Sequence, residues 1–151
     1  MGEVDRAAVG RFVRELVLGM KLDLEVGATE GDGIIRINLI GPDRAILLSN
    51  GAAVLNGIEY LAGRVFRAGR DESSESIVLD SDNYRQHREA ELVLLAQMAS
   101  KTVLAQGRPL SLQPMSPKER RIVHLALAAI DGVRSQSQGL GDSRSITIYP
   151  S

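Results

Sequence analysis

The spacing of the apolar residues changes along this chain of 151 residues, and that change restricts its fold class more than any other feature. Residues 5–20 repeat apolar side chains every three to four positions, which predicts an amphipathic helix. Residues 22–26 and 35–39 alternate apolar with polar side chains, which predicts two strands joined by a hairpin turn at 30–33. The mixture of the two periods predicts an α+β fold.

The first part of the chain continues with two helical stretches and one more strand. A short apolar stretch at 44–48 predicts one or two helical turns, and residues 54–67 repeat apolar side chains at helical spacing. A polar loop at 69–76 then precedes a third strand at 77–79. The predicted element order is therefore α-β-β-α-α-β.

A long helix comes next, from residue 82 to about residue 106, and Gly107 is placed to end it. The apolar residues expected on its buried side are Leu92, Leu95, Ala96, Ala99 and Val103. Beyond it we expect a small sheet packed on helices, formed by a strand at 110–112, a helix at 117–131, and antiparallel strands at 133–137 and 145–149.

Two small domains fit this order of elements. No stretch rich in Pro, Gly or Ser separates the halves, so we place the domain join near Ser81, at the start of the long helix. The predicted domains are residues 1–80 and residues 82–151, and the second includes the connecting helix. They have 80 and 70 residues, which is enough for a small core in each.

The composition is typical of a globular protein and fits a reducing compartment. Hydrophobic residues make up 44% of the sequence, cysteine is absent, and Phe, Trp and Tyr together reach only 3%. Disulfides, thiolate metal sites and cysteine nucleophiles are thereby excluded. The charged N-terminus shows no long apolar run, so we expect neither a signal peptide nor a membrane span, and a cytoplasmic location.

The net charge is −1, but the charge is distributed unevenly. Residues 1–100 contain 11 Lys or Arg and 16 Asp or Glu, whereas residues 101–151 contain 7 and 3. Such asymmetry predicts a basic binding surface in the C-terminal part of the chain.

One segment, residues 116–124, combines a helix start with a group of cations. Ser116 and Glu119 have the spacing of a capping box, and Pro117 suits the first helical position. Arg120 and His124 lie four residues apart on one helix face, near the positive end of the helix, where a phosphate group is well bound. Arg and His at this spacing more often mark a solvated face, so both interpretations stand on this pattern alone.

The spacing Arg120-x-x-x-His124 is that of the R-3-H domain, a small module that binds single-stranded nucleic acid. Together with Gly107-Arg108-Pro109, Leu55-Asn56-Gly57-Ile58-Glu59-Tyr60-Leu61 and Tyr84-Arg85-x-x-Arg88, it resembles the Jag (SpoIIIJ-associated) family of bacterial RNA-binding proteins. The resemblance covers about residues 10–149. It implies a type II KH domain followed by a small R-3-H α/β domain, the two joined by the long helix. We expect the chain to lack the extra N-terminal domain of many members.

The resemblance also implies which residues bind nucleic acid. Arg120 is expected to contact a backbone phosphate, with His124 one turn further on; the alternative is that His124 is a core-edge residue bonded to a neighbouring backbone group. The other basic residues assigned to the site are Arg121, Lys118, Arg108, Arg134 and Arg144.

KH domains hold the nucleic-acid backbone on a Gly-x-x-Gly loop between two helices, since only glycine allows so close an approach. The resemblance aligns that loop with Ser49-Asn50-Gly51-Ala52. Both glycines are replaced and neither middle position carries a positive charge. We therefore expect a degenerate loop that contributes little to binding.

Two functions of different classes remain. The first is a single-stranded RNA-binding protein, with DNA as a less favoured ligand, acting as an RNA chaperone or post-transcriptional regulator beside a second small KH protein. The second is a protein-interaction scaffold whose KH half no longer binds nucleic acid, and a homodimer is left open. The chain has two histidines and no carboxylate pair of distinctive spacing. We expect no enzyme activity, metal or cofactor.

Overall fold

The computed structural model describes residues 4–67 and 76–151. Within these ranges the chain forms four α-helices and six β-strands, which confirms the α+β class. The chain divides into two compact units, unit 1 up to Tyr84 and unit 2 from Arg85 onward. Most of the loop predicted at 69–76 lies outside the described residues.

Helix α1 spans Arg6–Gly19 in unit 1. Asp5 precedes it, and its carboxylate accepts a hydrogen bond from the backbone N–H of Ala7 at 3.0 Å, so Asp5 is the N-cap. The buried positions repeat at helical spacing, as the sequence predicts, and are Val9, Gly10, Val13 and Val17.

The sheet of unit 1 has three strands in the order β1-β2-β3. Strand β1, Glu25–Gly31, pairs antiparallel with β2, Ile34–Ile40, while β3, Ser76–Asp80, pairs parallel with β2. Asp32 and Gly33 make the hairpin turn and both have positive φ, the requirement of a type I′ turn. Strand β1 starts at Glu25, later than predicted, because Glu25 pairs with Ile40, the last residue of β2; Leu22 and Leu24 still pack on the core from the segment before it.

Helix α2, Arg44–Arg67, is interrupted at residues 49–52. Ser49 is extended, with ψ at 157°, and Asn50, Gly51 and Ala52 follow with φ of 53°, 67° and 61°. Three successive left-handed residues cannot continue a right-handed helix. The interruption thus separates the two helical stretches that the sequence predicts at 44–48 and 54–67.

By length and composition alone, α2 could cross a membrane. The interruption leaves no continuous helix of the roughly 20 residues that a span requires. Its inward side chains also form the core of unit 1 with the sheet, and Leu47, Leu55, Ile58 and Ala62 are buried there. We therefore assign α2 to that core.

Unit 2 is built from two helices and a second three-stranded sheet. The helices are α3, Tyr84–Gln106, whose first residue belongs to unit 1, and α4, Pro117–Ala128. The strands are β4, Leu110–Ser111, β5, Val133–Gln138, and β6, Ser145–Pro150, with a short 3₁₀ turn at Gly141–Ser143 before β6.

The strand order is β4-β6-β5, and both pairings are antiparallel. One face of the sheet, which we call the inner face, carries Val133, Ile146 and Ile148 into a core shared with the helices. The opposite face, the outer face, carries the alternate residues of each strand. Strand β5 is an edge of the sheet, so one side of its backbone has no partner strand among the described residues.

Three predictions about the helices of unit 2 are wrong in detail. Helix α4 ends at Ala128 rather than residue 131. Helix α3 begins at Tyr84 rather than residue 82, because Asp82 and Asn83 have φ of 49° and 59°. Leu95 is 39% exposed, since it lies beside the helix stripe formed by the buried Leu92 and its neighbours at helical spacing.

Candidate nucleic-acid interface

Helix α4 begins as its sequence predicts, with one difference. The hydroxyl of Ser116 accepts a hydrogen bond from the backbone N–H of Glu119 at 3.3 Å, and Pro117 is in the first turn of the helix. In a capping box the Glu119 carboxylate would reach back to the backbone of Ser116. Both of its oxygens instead contact the guanidinium of Arg88 on α3, at 2.8 and 3.5 Å.

This ion pair neutralises the negative charge of Glu119 at the start of α4. The side chain of Glu119 is only 10% exposed, and that of Arg88 is 35% exposed. A carboxylate so far from water is stable when a cation compensates its charge. Because Arg88 does so, the negative charge of Glu119 does not oppose an anion that approaches the helix start.

The guanidinium of Arg120 is held through one of its nitrogen atoms. Its Nη1 atom donates to the carbonyl oxygen of Met115 at 2.7 Å, which fixes the half-buried guanidinium beside the chain entering α4. A guanidinium has five N–H donors, and the other four have no hydrogen-bond partner among the described residues. Within the described part of the chain, no carboxylate forms a salt bridge with Arg120.

His124 lies one turn further along α4, where its Nδ1 atom is 2.7 Å from the hydroxyl of Ser135 on β5. The ring is half-buried, and the bond ties α4 to the inner face of the sheet. The neighbour is a side chain rather than the backbone group of the alternative interpretation. Nε2 has no partner among the described residues, and is the atom that a ligand can use.

Sequence reasoning missed Ser135, although a signal for it was present. Strand residues alternate between faces, and Val133 is the first apolar residue of the predicted strand. Ser135 must then share its face, which is the face that packs on α4. Arg88 was missed for a different reason: nothing in its local sequence links it to a residue 31 positions away.

Two more basic residues lie on the same helix as Arg120 and His124. Lys118 and Arg121 are both exposed in the first turns of α4. The helix start therefore presents several cations within two turns, at the end where backbone N–H groups and the helix dipole already favour an anion. A phosphate group is the ligand that this arrangement suits best.

The structure does not bring Arg134 to this group. Arg134 precedes Ser135 on β5 and so faces the outer side of the sheet. Its guanidinium carbon lies 4.4 Å from the centroid of the Tyr149 ring on β6, a cation–π contact. Arg134 and Tyr149 are direct cross-strand partners, which explains the contact.

The two remaining basic residues of the predicted site also lie apart from α4 in sequence. Arg144 donates to the carbonyl oxygens of Gly139 at 2.7 Å and Ser137 at 3.5 Å, so its guanidinium holds the connection between β5 and β6. Arg108 is exposed just after α3, next to Gly107, whose φ of 66° ends that helix. No described contact joins either residue to Arg120.

The segment 49–52 in unit 1 offers weaker binding chemistry. Ser49 and Asn50 are exposed, but the Ser49 hydroxyl donates to the carbonyl of Ile46 at 3.0 Å. The methyl group of Ala52 is buried, and the Gly51 carbonyl accepts from the Asn56 side chain at 3.2 Å. The segment is thus a stable interruption of α2 whose own side chains bring no positive charge.

Comparison with known proteins defines the second half of the chain. Residues 90–150 match the R-3-H domain, and they include α4 and all three strands of the second sheet. This part of the chain is therefore similar to R-3-H domains. The segment containing Arg120 and His124 lies inside it.

Over most of its length the chain is similar to proteins named RNA-binding protein KhpB. It is 32% identical over 131 residues to the one from Clostridium symbiosum, and 30% identical over 131 residues to the one from Lactiplantibacillus plantarum. It is 27% identical over 126 residues to the one from Bacillus subtilis. These matches cover 87%, 87% and 82% of this chain.

The relatives are longer proteins. The chain spans 59%, 40% and 60% of the lengths of the three, in the order given. Similarity over those spans extends beyond the R-3-H domain into unit 1.

Proposed function

We propose that this protein binds single-stranded RNA through the start of α4. The observation that carries the proposal is the geometry of Arg120, anchored through one N–H to Met115 and free of any carboxylate partner in the described chain. A guanidinium with its remaining donors free suits a backbone phosphate. The R-3-H domain and the RNA-binding names of the relatives support RNA as the ligand.

His124 has a matching part in this proposal. If the Ser135 hydroxyl donates to Nδ1, the neutral ring carries its hydrogen on Nε2, which then donates to a phosphate or sugar oxygen. The ring thus contributes one oriented donor, one turn from the guanidinium. Lys118 and Arg121 add charge that does not depend on sequence.

We further propose that unit 1 is a type II KH domain whose loop at residues 49–52 contributes little to nucleic-acid binding. Two observations support this proposal. Residues 49–52 separate α2 into two helical parts, and with that separation the elements of unit 1 follow the order α-β-β-α-α-β. Affinity for RNA then resides mainly in unit 2, and the domain boundaries are those predicted near residue 81.

A protein-interaction scaffold is the second candidate, and one observation favours it for unit 1. The second part of α2 carries Tyr60, Leu61 and Val65 at exposures of 65%, 46% and 54%. An exposed apolar group of this kind is typical of a contact with another protein. A second small KH protein or another copy of this chain would be a suitable partner.

In the cell we expect a cytoplasmic RNA chaperone or post-transcriptional regulator rather than an enzyme. A chain without cysteine suits a reducing compartment. Contacts with phosphates carry no sequence information, so binding through α4 would tolerate many RNA sequences.

A titration of the full chain with a mixed single-stranded RNA pool, followed by fluorescence anisotropy, tests the proposal. Arg121→Glu, a charge reversal on exposed α4, should weaken binding severalfold. Ser49→Asp adds one negative charge to the degenerate loop, and it should change the affinity less than twofold if that loop contributes little. Absence of RNA binding by the unaltered chain would leave the scaffold as the surviving candidate.

A further inference from the structure

The outer face of the β4-β6-β5 sheet carries an ordered network of polar side chains that spans all three strands. The hydroxyls of Ser111 and Thr147 are 2.9 Å apart, and Thr147 donates to the Gln138 amide oxygen at 3.4 Å. The Gln138 amide nitrogen in turn donates to the Tyr149 hydroxyl at 2.6 Å. The Tyr149 ring lies beneath the Arg134 guanidinium. This network places each side chain before any ligand arrives.

The charge of this face is unusual for a solvated sheet. Arg134 is the only ionised residue on it, and no outward-facing position of β4, β5 or β6 is acidic. Its neighbours on β5, Gln136 and Gln138, are exposed amides that both donate and accept, and Gln138 keeps one N–H and one oxygen lone pair beyond its contacts with Tyr149 and Thr147. The face therefore attracts an anion weakly and offers uncharged groups that match the edges of nucleic-acid bases.

Arg134 and Tyr149 also form the stacking surface of unit 2. Tyr149 is the only Phe, Tyr or Trp in residues 85–151. The guanidinium is exposed and already lies over the ring, so its solvent side is a flat cation on which a base can stack.

The outer face and the candidate site on α4 adjoin the same strand, β5. Ser135, the partner of His124, and Arg134 are adjacent on β5 but face opposite sides of the sheet. Because β5 is an edge strand, a single-stranded chain can pass from α4 around that edge to the outer face without crossing the sheet.

We propose that the outer face is a second contact surface for single-stranded RNA, on which Arg134 stacks with a base and the Gln136 and Gln138 amides bond base edges. This inference rests on the proposed function, in which α4 supplies the phosphate contacts. It assigns to Arg134 a role distinct from that of Arg120: stacking rather than charge neutralisation.

The test compares two probes with the full chain: a labelled oligouridine, and an oligomer of the same length built from abasic units. Both probes carry the same phosphates, so the ratio of their dissociation constants isolates base contacts. The unaltered chain should prefer the oligouridine by roughly tenfold, the scale of one stacked base. Arg134→Lys keeps the charge but loses the planar cation, and should lower the ratio severalfold, by the part that the stacked base contributes. Tyr149→Leu should do the same.

Arg11→Lys, the same exchange at an exposed position on α1, is the matched control and should leave the ratio unchanged. Should Tyr149→Leu fail to fold, Arg134→Lys decides alone, since its side chain is exposed. A ratio near one in the unaltered chain, or an unchanged ratio in Arg134→Lys, would overturn the inference. Arg120→Ala should weaken both probes equally. If it weakens neither, the proposed function of α4 fails, while the ratio still reports on the outer face.

Discussion

The Nδ1 atom of His124 and the hydroxyl oxygen of Ser135 lie 2.7 Å apart, across the packing of α4 on β5. The sequence analysis presented two alternative roles for His124, a ligand contact and a bond to its own fold, and this contact is compatible with both. His124 is bonded to its own fold through one ring nitrogen, and the other nitrogen has no partner among the described residues. Ser135 thereby becomes a positioning residue for the candidate RNA site.

The first prediction concerns that hydroxyl. Ser135→Ala should lower the free energy of unfolding by about 1 kcal/mol, the usual worth of a hydrogen bond, and weaken RNA binding severalfold because the ring is no longer oriented. Urea unfolding and anisotropy titration measure the two effects.

The control for this prediction lies two residues along the same strand. Ser137 shares the inner face, and its Oγ is buried without a hydrogen-bond partner among the described residues. Ser137→Ala removes an unpaired hydroxyl, so it should leave stability unchanged or raise it, with normal affinity. Equal behaviour of the two variants would show that the His124 contact has no role in stability or binding.

The second prediction concerns the ion pair of Arg88 and Glu119. Arg88→Met leaves a largely buried carboxylate without its cation, and should cost on the order of 1–3 kcal/mol of stability. Glu119→Gln keeps a hydrogen-bonding group in place and should cost less. If Arg88→Met unfolds at the same urea concentration as the unaltered chain, the pair does not stabilise the start of α4.

The third prediction tests the interruption of α2 by substituting two glycines of that helix. Gly51 has φ of 67°, so Gly51→Ala forces a side chain into the left-handed region and should destabilise the protein by about 1 kcal/mol. Gly57 is helical and nothing lies within 4 Å of an added Cβ, so Gly57→Ala should stabilise by about 0.5–1 kcal/mol. Thermal melts of both variants measure the signs, and a gain in both would mean that the helix is continuous.

Local patterns predicted much of the fold, because local sequence determines helix starts, turns and face alternation. The Ser116 cap, the turn at Asp32-Gly33 and the alternation of Ile35, Ile37 and Leu39 into the core all follow from short-range rules. The break of α2 at residues 49–52 coincides with the loop that the family resemblance placed there.

The candidate site was less predictable, since its contacts join residues far apart in sequence. Arg88 and Glu119 are 31 positions apart, and His124 and Ser135 are 11 apart. The net charge of the C-terminal part predicted a single basic surface, but strand alternation places Arg134 on the opposite face of the sheet from Ser135. Net charge counts cations without revealing which way they face.

The central claim is that Arg120 contacts a backbone phosphate of bound RNA. Each phosphate contact releases bound counterions, so the logarithm of the affinity falls linearly with the logarithm of the salt concentration. Arg120→Ala should reduce the magnitude of that slope by about 1, and Arg120→Lys should restore only part of the affinity, because an ammonium cannot form the bidentate contact.

The most direct measurement is the salt dependence of single-stranded RNA binding for the unaltered chain and Arg120→Ala, with Lys101→Ala as an exposed control on α3. The account predicts a smaller slope for Arg120→Ala, by about one phosphate contact, and an unchanged slope for the control. An Arg120→Ala variant that is folded and keeps the slope and affinity of the unaltered chain would contradict it.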